Sequence, residues 1–127
     1  MEKIMKIKSY KDLNIWKRSI VVVKDIYKIT KNFPKEEIYG LTSQLRKSAV
    51  SIPSNIAEGF ARFYNKEYRK FLFISLGSCA ELSTQIIIAL RLGYLESKEA
   101  DRLLNKIDEI SKMTMSLIKR LNILSND

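Results

Sequence analysis

Apolar positions recur along this chain at alternating spacings of three and four, the mark of amphipathic helices. They do so in four segments separated by short turn signals. The first covers residues 12–32, with Leu13, Trp16, Ile20, Val23 and Tyr27 on one stripe. Asn32-Phe33-Pro34 ends it, because a residue before proline disfavours the α conformation. The β-branched run at 21–23 would also suit a strand, but the longer pattern around it favours helix. The second segment covers 35–63, with Ile38, Leu41, Leu45, Ser48, Ile52, Asn55 and Gly59 on its stripe. Pro53 falls inside it. A proline deletes one helical hydrogen bond and crowds the carbonyl four residues back, which predicts a helix kinked near Pro53 or two abutting helices.

The third segment covers 66–92, with Asn65 as N-cap and Gly93 as a left-handed stop. The fourth covers 98–124, with Ser97 as N-cap and Glu99 and Asp101 in the first turn, where the helix dipole favours acids. Its stripe is Ala100, Leu103, Ile107, Ile110, Thr114, Leu117, Leu121 and Leu124. No strand pattern or repeat competes. Connections of two to five residues force neighbouring helices to run antiparallel. The expected fold is all-α: an antiparallel up-down-up-down four-helix bundle over 12–127, preceded by a basic N-terminal tail at 1–11.

The apolar surface exceeds what one bundle needs. Helix 1 carries a second stripe of Ile15, Val22, Ile26, Ile29 and Phe33, and residues 71–74 and 86–90 of helix 3 are apolar all round. Helices apolar on two faces usually bury the second against another subunit. Ile15, Val22, Ile26 and Ile29 are therefore expected at an oligomer interface; the alternative is a broad core face. An antiparallel turn centred near residue 64 would set Ser48 and Ser51 opposite Ala80 and Gly77, with Ser75, Ser78 and Cys79 alongside. It would also bring Glu81 within reach of Arg46 as an interhelical ion pair. The single Cys79 fits this small-residue seam as an apolar filler.

Composition narrows the chemistry. The 127 residues fit one domain, with 23 Lys and Arg against 14 Asp and Glu and a formal charge of +9. There is no His and one Cys, which excludes a Ser-His-Asp triad, a Cys-His dyad, His-ligated metal and a Cys-based zinc cluster. No clustered carboxylates suggest a nuclease metal site. The sequence thus points to no catalytic residue, metal or cofactor. The start of the chain lacks a signal peptide's continuous apolar core, and no apolar run approaches the ~20 residues that cross a bilayer. A cytoplasmic protein with no membrane association is the expectation.

The charge is uneven. Residues 1–35 hold ten basic residues against three acidic, while 36–64 and 96–127 balance. Lys17, Lys24, Lys28 and Lys31 share one stripe of helix 1, a strip able to follow a phosphate backbone, or else a solvated face that keeps the protein soluble. A second cluster surrounds the turn between helices 2 and 3, with Arg62, Arg69 and Lys70 among Phe60, Phe63, Tyr64 and Tyr68. Such aromatics stack on unpaired bases, or more often cap the apolar end of a helical hairpin.

The stretch Gln44-Leu45-Arg46-Lys47-Ser48-Ala49-Val50-Ser51-Ile52-Pro53-Ser54-Asn55-Ile56-Ala57-Glu58-Gly59 resembles the signature of the 23S rRNA intervening-sequence protein family, small bacterial four-helix bundles. The opening Tyr10-Lys11-Asp12-Leu13-x-x-Trp16 and the later Phe71-Leu72-x-Ile74-Ser75-x-Gly77-Ser78-x-x-Glu81-Leu82 are similar too. The resemblance implies a ring-like homopentamer and kinship with the accessory variability protein of diversity-generating retroelements, a basic pentamer that binds nucleic acid and a reverse transcriptase. It implies no enzymatic activity. By motif position, Arg46, Asn55, Glu58, Gly59, Arg62, Gly77 and Glu81 are signature residues. The expected roles are close packing at Gly59 and Gly77 and charge pairing among Arg46, Glu58, Arg62 and Glu81. Two functions follow as expectations: a homo-oligomeric nucleic-acid binder, with RNA the expected ligand, and an oligomeric scaffold whose basic face docks an acidic protein or a reverse-transcriptase-like partner.

Overall fold

The computed structural model describes residues 7–124. Lys3 and Lys6 of the basic tail lie outside the described residues. Four helices follow in order: α1 (Asn14–Thr30), α2 (Leu41–Phe60), α3 (Asn65–Arg91) and α4 (Ser97–Ile123). Short 3-10 turns at Tyr10–Asp12 and Lys35–Glu37 precede α1 and α2. No strand occurs among the described residues, and the chain is an all-α four-helix bundle. α2 packs on α1 and α3, α4 packs on α3 and α1, and the diagonal pairs make no contact.

Local chemistry sets the helix ends. Residues 35–40 do not join α2. Instead the Glu37 carboxylate accepts the backbone N–H of Leu41 at 3.1 Å, capping the helix from outside. Those two bonds, from Leu41 N–H and then the Tyr94 hydroxyl at 2.8 Å, hold the Glu37 carboxyl below the usual range. α2 runs through Pro53 as a single helix rather than as two abutting ones. α3 ends as expected at Gly93, which has φ +80°, with Tyr94 N–H on Ala89 C=O and Gly93 N–H on Leu90 C=O. Asn65 and Ser97 are first helical residues rather than caps; Tyr64 and Glu96 occupy the cap positions.

The core confirms the α4 stripe nearly residue for residue, with Ile118 buried in place of Leu117. For α1 the structure reverses the expected faces. Ile15, Val22 and Ile26 are 5%, 1% and 0% exposed inside their own chain, beside buried Ser19 and Thr30. Ile29 is half-buried against the same core. This group is the core face of α1 and is not available as an oligomer interface. The reason is local: Ser19 Oγ donates to Trp16 C=O and Thr30 Oγ1 to Ile26 C=O, so both hydroxyls are satisfied within the helix and bury cheaply. Trp16, Ile20, Val23 and Tyr27, whose two rings are bulky, sit instead at the half-exposed margin over α2.

The surplus apolar surface lies on α3. Phe73, Ile74, Ile87 and Ile88 are each 39–53% exposed. Gly77, Ala80 and Glu81 lie between them on the same outward face. Because of these residues, α3 matches a membrane span in length and composition, with mean hydropathy 1.6 over its best window. A core helix of a globular bundle has the same length and composition, and a third of that window is buried here.

Candidate nucleic-acid interface

The α1 residues opposite the core face are Lys17, Lys24, Lys28 and, at the helix end, Lys31. All four are exposed, and none forms an ion pair among the described residues. At 1.5 Å per residue they cover about 21 Å of helix axis within a narrow arc. Asp25, the one acid within α1, turns the other way. Its carboxylate accepts Lys106 Nζ at 2.9 Å and Arg102 Nη1 at 3.3 Å from α4. Arg18 pairs with Glu109 on the same side. Glu99 is held below, and Arg102 above, the usual range, first by their mutual hydrogen bond. The α1–α4 seam thus uses up the local acids and leaves the lysine strip uncompensated.

The second expected cluster divides. Phe63 is 88% exposed and packs edge-on against half-exposed Tyr64, and Lys70 is exposed in the second turn of α3. Phe60 and Tyr68 instead pack edge-to-face at 6.1 Å and close the core, and burial pushes the Tyr68 phenol up. Arg62 is held by Glu58 at 2.7 Å and lies over the Phe71 ring. Arg69 is half-buried and donates to Leu121 C=O at 3.2 Å, tying the end of α4 to the start of α3. Arg69 therefore has a structural role in the chain and does not present a bare cation to a ligand.

Two signature expectations hold in geometry. A Cβ at Gly59 would lie 2.9 Å from Phe71 Cβ and 3.1 Å from Tyr68 C=O, so α3 approaches α2 through that glycine. The Glu58–Arg62 pair forms as well. Two do not hold. Gly77 faces outward, with nothing within 4 Å of a Cβ built there, and Ala80 faces outward with it. Arg46 does not reach Glu81. Its Nε donates to Thr30 Oγ1 at 3.0 Å and its guanidinium lies 4.7 Å above the Tyr27 ring, on the α1 side of α2. The expected serines do form the α2–α3 seam, joined by Asn55: Asn55 Nδ2 donates to Ser51 C=O and Oγ, Ser51 Oγ bonds Ser78 Oγ, and Ser75 Oγ donates to Ile52 C=O. Cys79 is buried with its thiol toward Ser111 of α4, and burial pushes the thiol up.

The sequence reading missed one surface. A cleft of about 510 Å³ between α1 and α2 brings Tyr27 and Tyr39 beside Arg46 and Lys47. A more apolar groove continues it past Val50 to Pro53, Ile20 and Trp16. Antiparallel pairing about the 31–40 turn, applied as it was to the later turn, would have brought Tyr27 to Arg46. No group of metal-ligating side chains occurs among the described residues.

The model of the 23S rRNA-intervening sequence protein family matches residues 11–116. Among solved structures the chain resembles a protein of unknown function from the S23 ribosomal protein family of Bacteroides thetaiotaomicron, with TM-score 0.75 and 23% identity over 83% of this chain and 98% of that one. At that identity the likeness speaks for the fold. No curated protein matches the chain. With the family model spanning all four helices, the chain belongs to the 23S rRNA-intervening sequence protein family.

Proposed function

We propose that this protein is a non-enzymatic, homo-oligomeric, cytoplasmic bundle that binds nucleic acid, RNA above all, through phosphate contacts. The observation that carries the reading is the uncompensated strip of Lys17, Lys24, Lys28 and Lys31 on a helix whose only acid is taken by α4. A phosphate backbone is the extended polyanion such a strip fits, and affinity arises from counterion release rather than base readout. Exposed Lys70, Phe63 and Tyr64 at the α2–α3 turn extend the surface toward unpaired bases. Repetition of the strip on each subunit, five in the ring that the family resemblance implies, raises the avidity of weak contacts.

The test is fluorescence anisotropy of a labelled structured RNA titrated with the full chain across a salt series. Four lysine–phosphate contacts per protomer give a slope of log K against log salt of about −2.8 to −3.6. Absence of binding at low ionic strength rejects the reading. Capture of an acidic protein that survives nuclease treatment, with no RNA affinity, would favour the scaffold alternative on the same basic face.

A further inference from the structure

We infer that the outward face of α3 seats in the α1–α2 groove of a second copy of this chain, head to tail. The inference rests on the homo-oligomer proposed above and assigns its interface. The α3 face has Phe73 and Ile74 at one end, Ile87 and Ile88 at the other, and Gly77 and Ala80 between them. It lies on the side of α3 away from its core residues Leu72, Ser75, Cys79, Leu82 and Ile86, and none of the described residues covers it. Gly77 is unexplained within the protomer. It costs about 1 kcal/mol relative to alanine in a helix interior, and no atom lies near enough to require its small size. A helix seated across it would require it.

The groove supplies the complement. Along α2 it runs from Ser43 to Ala57, about 21 Å, against about 23 Å from Phe73 to Ile88 on α3. Its apolar floor, which includes Trp16, Val23, Val50 and Pro53, is bordered by Arg46 and Lys47, and no acid lines it. The α3 face carries one acid, Glu81, near its centre, exposed and without an ion-pair partner among the described residues. Glu81 of one copy meets Arg46 or Lys47 of the next. A carboxylate at the middle of the stripe also argues against a bilayer as the occupant, because burial of that charge in lipid is costly. The two surfaces differ, so the contact is heterologous and propagates to a ring or a filament.

Sedimentation velocity of the full chain over a concentration series tests this, with circular dichroism to verify folding. Gly77→Leu and Glu81→Lys fold as the wild type, since both sites are open in the protomer, and each weakens association at least tenfold. Lys47→Glu weakens it as well, and the Glu81→Lys/Lys47→Glu double variant regains part of the loss. An assembly unchanged in size and affinity in Gly77→Leu and Glu81→Lys overturns the interface while leaving the oligomer standing. A wild-type chain that sediments as a protomer overturns both. Flotation of that protomer with neutral phosphatidylcholine vesicles, abolished by Ile74→Asp with Ile87→Asp, would assign the stripe to lipid and overturn the inference. RNA binding measured in parallel at low salt separates this from the proposed function: where the assembly is lost it persists, weakened by the lost avidity.

Discussion

Gly59→Ala tests how closely α2 and α3 approach. The added methyl would sit 2.9 Å from Phe71 Cβ, 3.0 Å from Tyr68 Cδ1 and 3.1 Å from Tyr68 C=O. Two of these neighbours are a Cβ and a backbone oxygen, which move only with α3 itself. Tyr68 is buried, so its ring has little room to yield. Overpacking of this kind costs about 1–3 kcal/mol. Alanine recovers up to about 1 kcal/mol of helix propensity, leaving a net loss of about 1–2 kcal/mol. For a chain of this size that corresponds to a fall in Tm of about 3–10 °C. The assay is urea unfolding followed by circular dichroism at 222 nm, at one fixed protomer concentration because association shifts apparent stability. A lower midpoint with an unchanged m-value is expected. A variant as stable as wild type would refute the reasoning, since propensity alone would then govern the site.

Other substitutions probe separate features of the bundle. Tyr68→Phe removes a buried hydroxyl that has no hydrogen-bond partner among the described residues and should stabilise the fold by about 1 kcal/mol, read as a higher urea midpoint. Arg69→Ala should lower the melting temperature through the lost bond to Leu121 C=O while leaving the salt slope of RNA binding unchanged. Lys17→Gln with Lys24→Gln should flatten that slope by about 1.4 to 1.8 and leave stability near the wild-type value, since neither lysine has an ion-pair partner among the described residues. Glu37 has its carboxyl depressed in the folded state, so its stabilisation is present above the unfolded-state pKa and is lost as pH falls through the folded-state value. Glu37→Gln should therefore destabilise at neutral pH, with the difference from wild type shrinking on acidification, as seen in thermal melts at pH 7 and pH 3.

The fold was largely legible in the sequence because the core stripes of α2 and α4 rest on large aliphatic residues. Positions 103, 107, 110 and 121 of α4 and 41, 45 and 52 of α2 read the same from periodicity and from burial. α1 was the exception. It has two apolar stripes of similar length, and residue size favoured the one with Trp16 and Tyr27. What decides between them is volume rather than hydrophobicity: the space facing α2 and α4 takes Ile15, Val22 and Ile26 with Ser19 and Thr30, whose hydroxyls bond their own helix. A one-dimensional pattern counts Ser19 and Thr30 as polar and so hides the true core face. The helix boundary at 35–40 was hidden for a similar reason, since Glu37 caps Leu41 through space from a position that also fits a helical register.

The site divides along the same line. Exposure of the α1 lysines follows from their stripe, and reversing the core face leaves them outside because they lie opposite Ile26 and Ser19 as well as away from Trp16. Ion pairing does not follow from a stripe, since it depends on where the partner helix places its own charges. Arg46 and Glu81 occupy facing positions on paper, yet Arg46 turns to Thr30 and Tyr27 while Glu81 turns to solvent. Of the surplus apolar area expected on α1 and at 71–74 and 86–90 of α3, the α1 residues are core and the α3 residues are exposed. Self-association would therefore bury Phe73, Ile74, Ile87 and Ile88 of α3 and leave the lysine strip of α1 open to a polyanion.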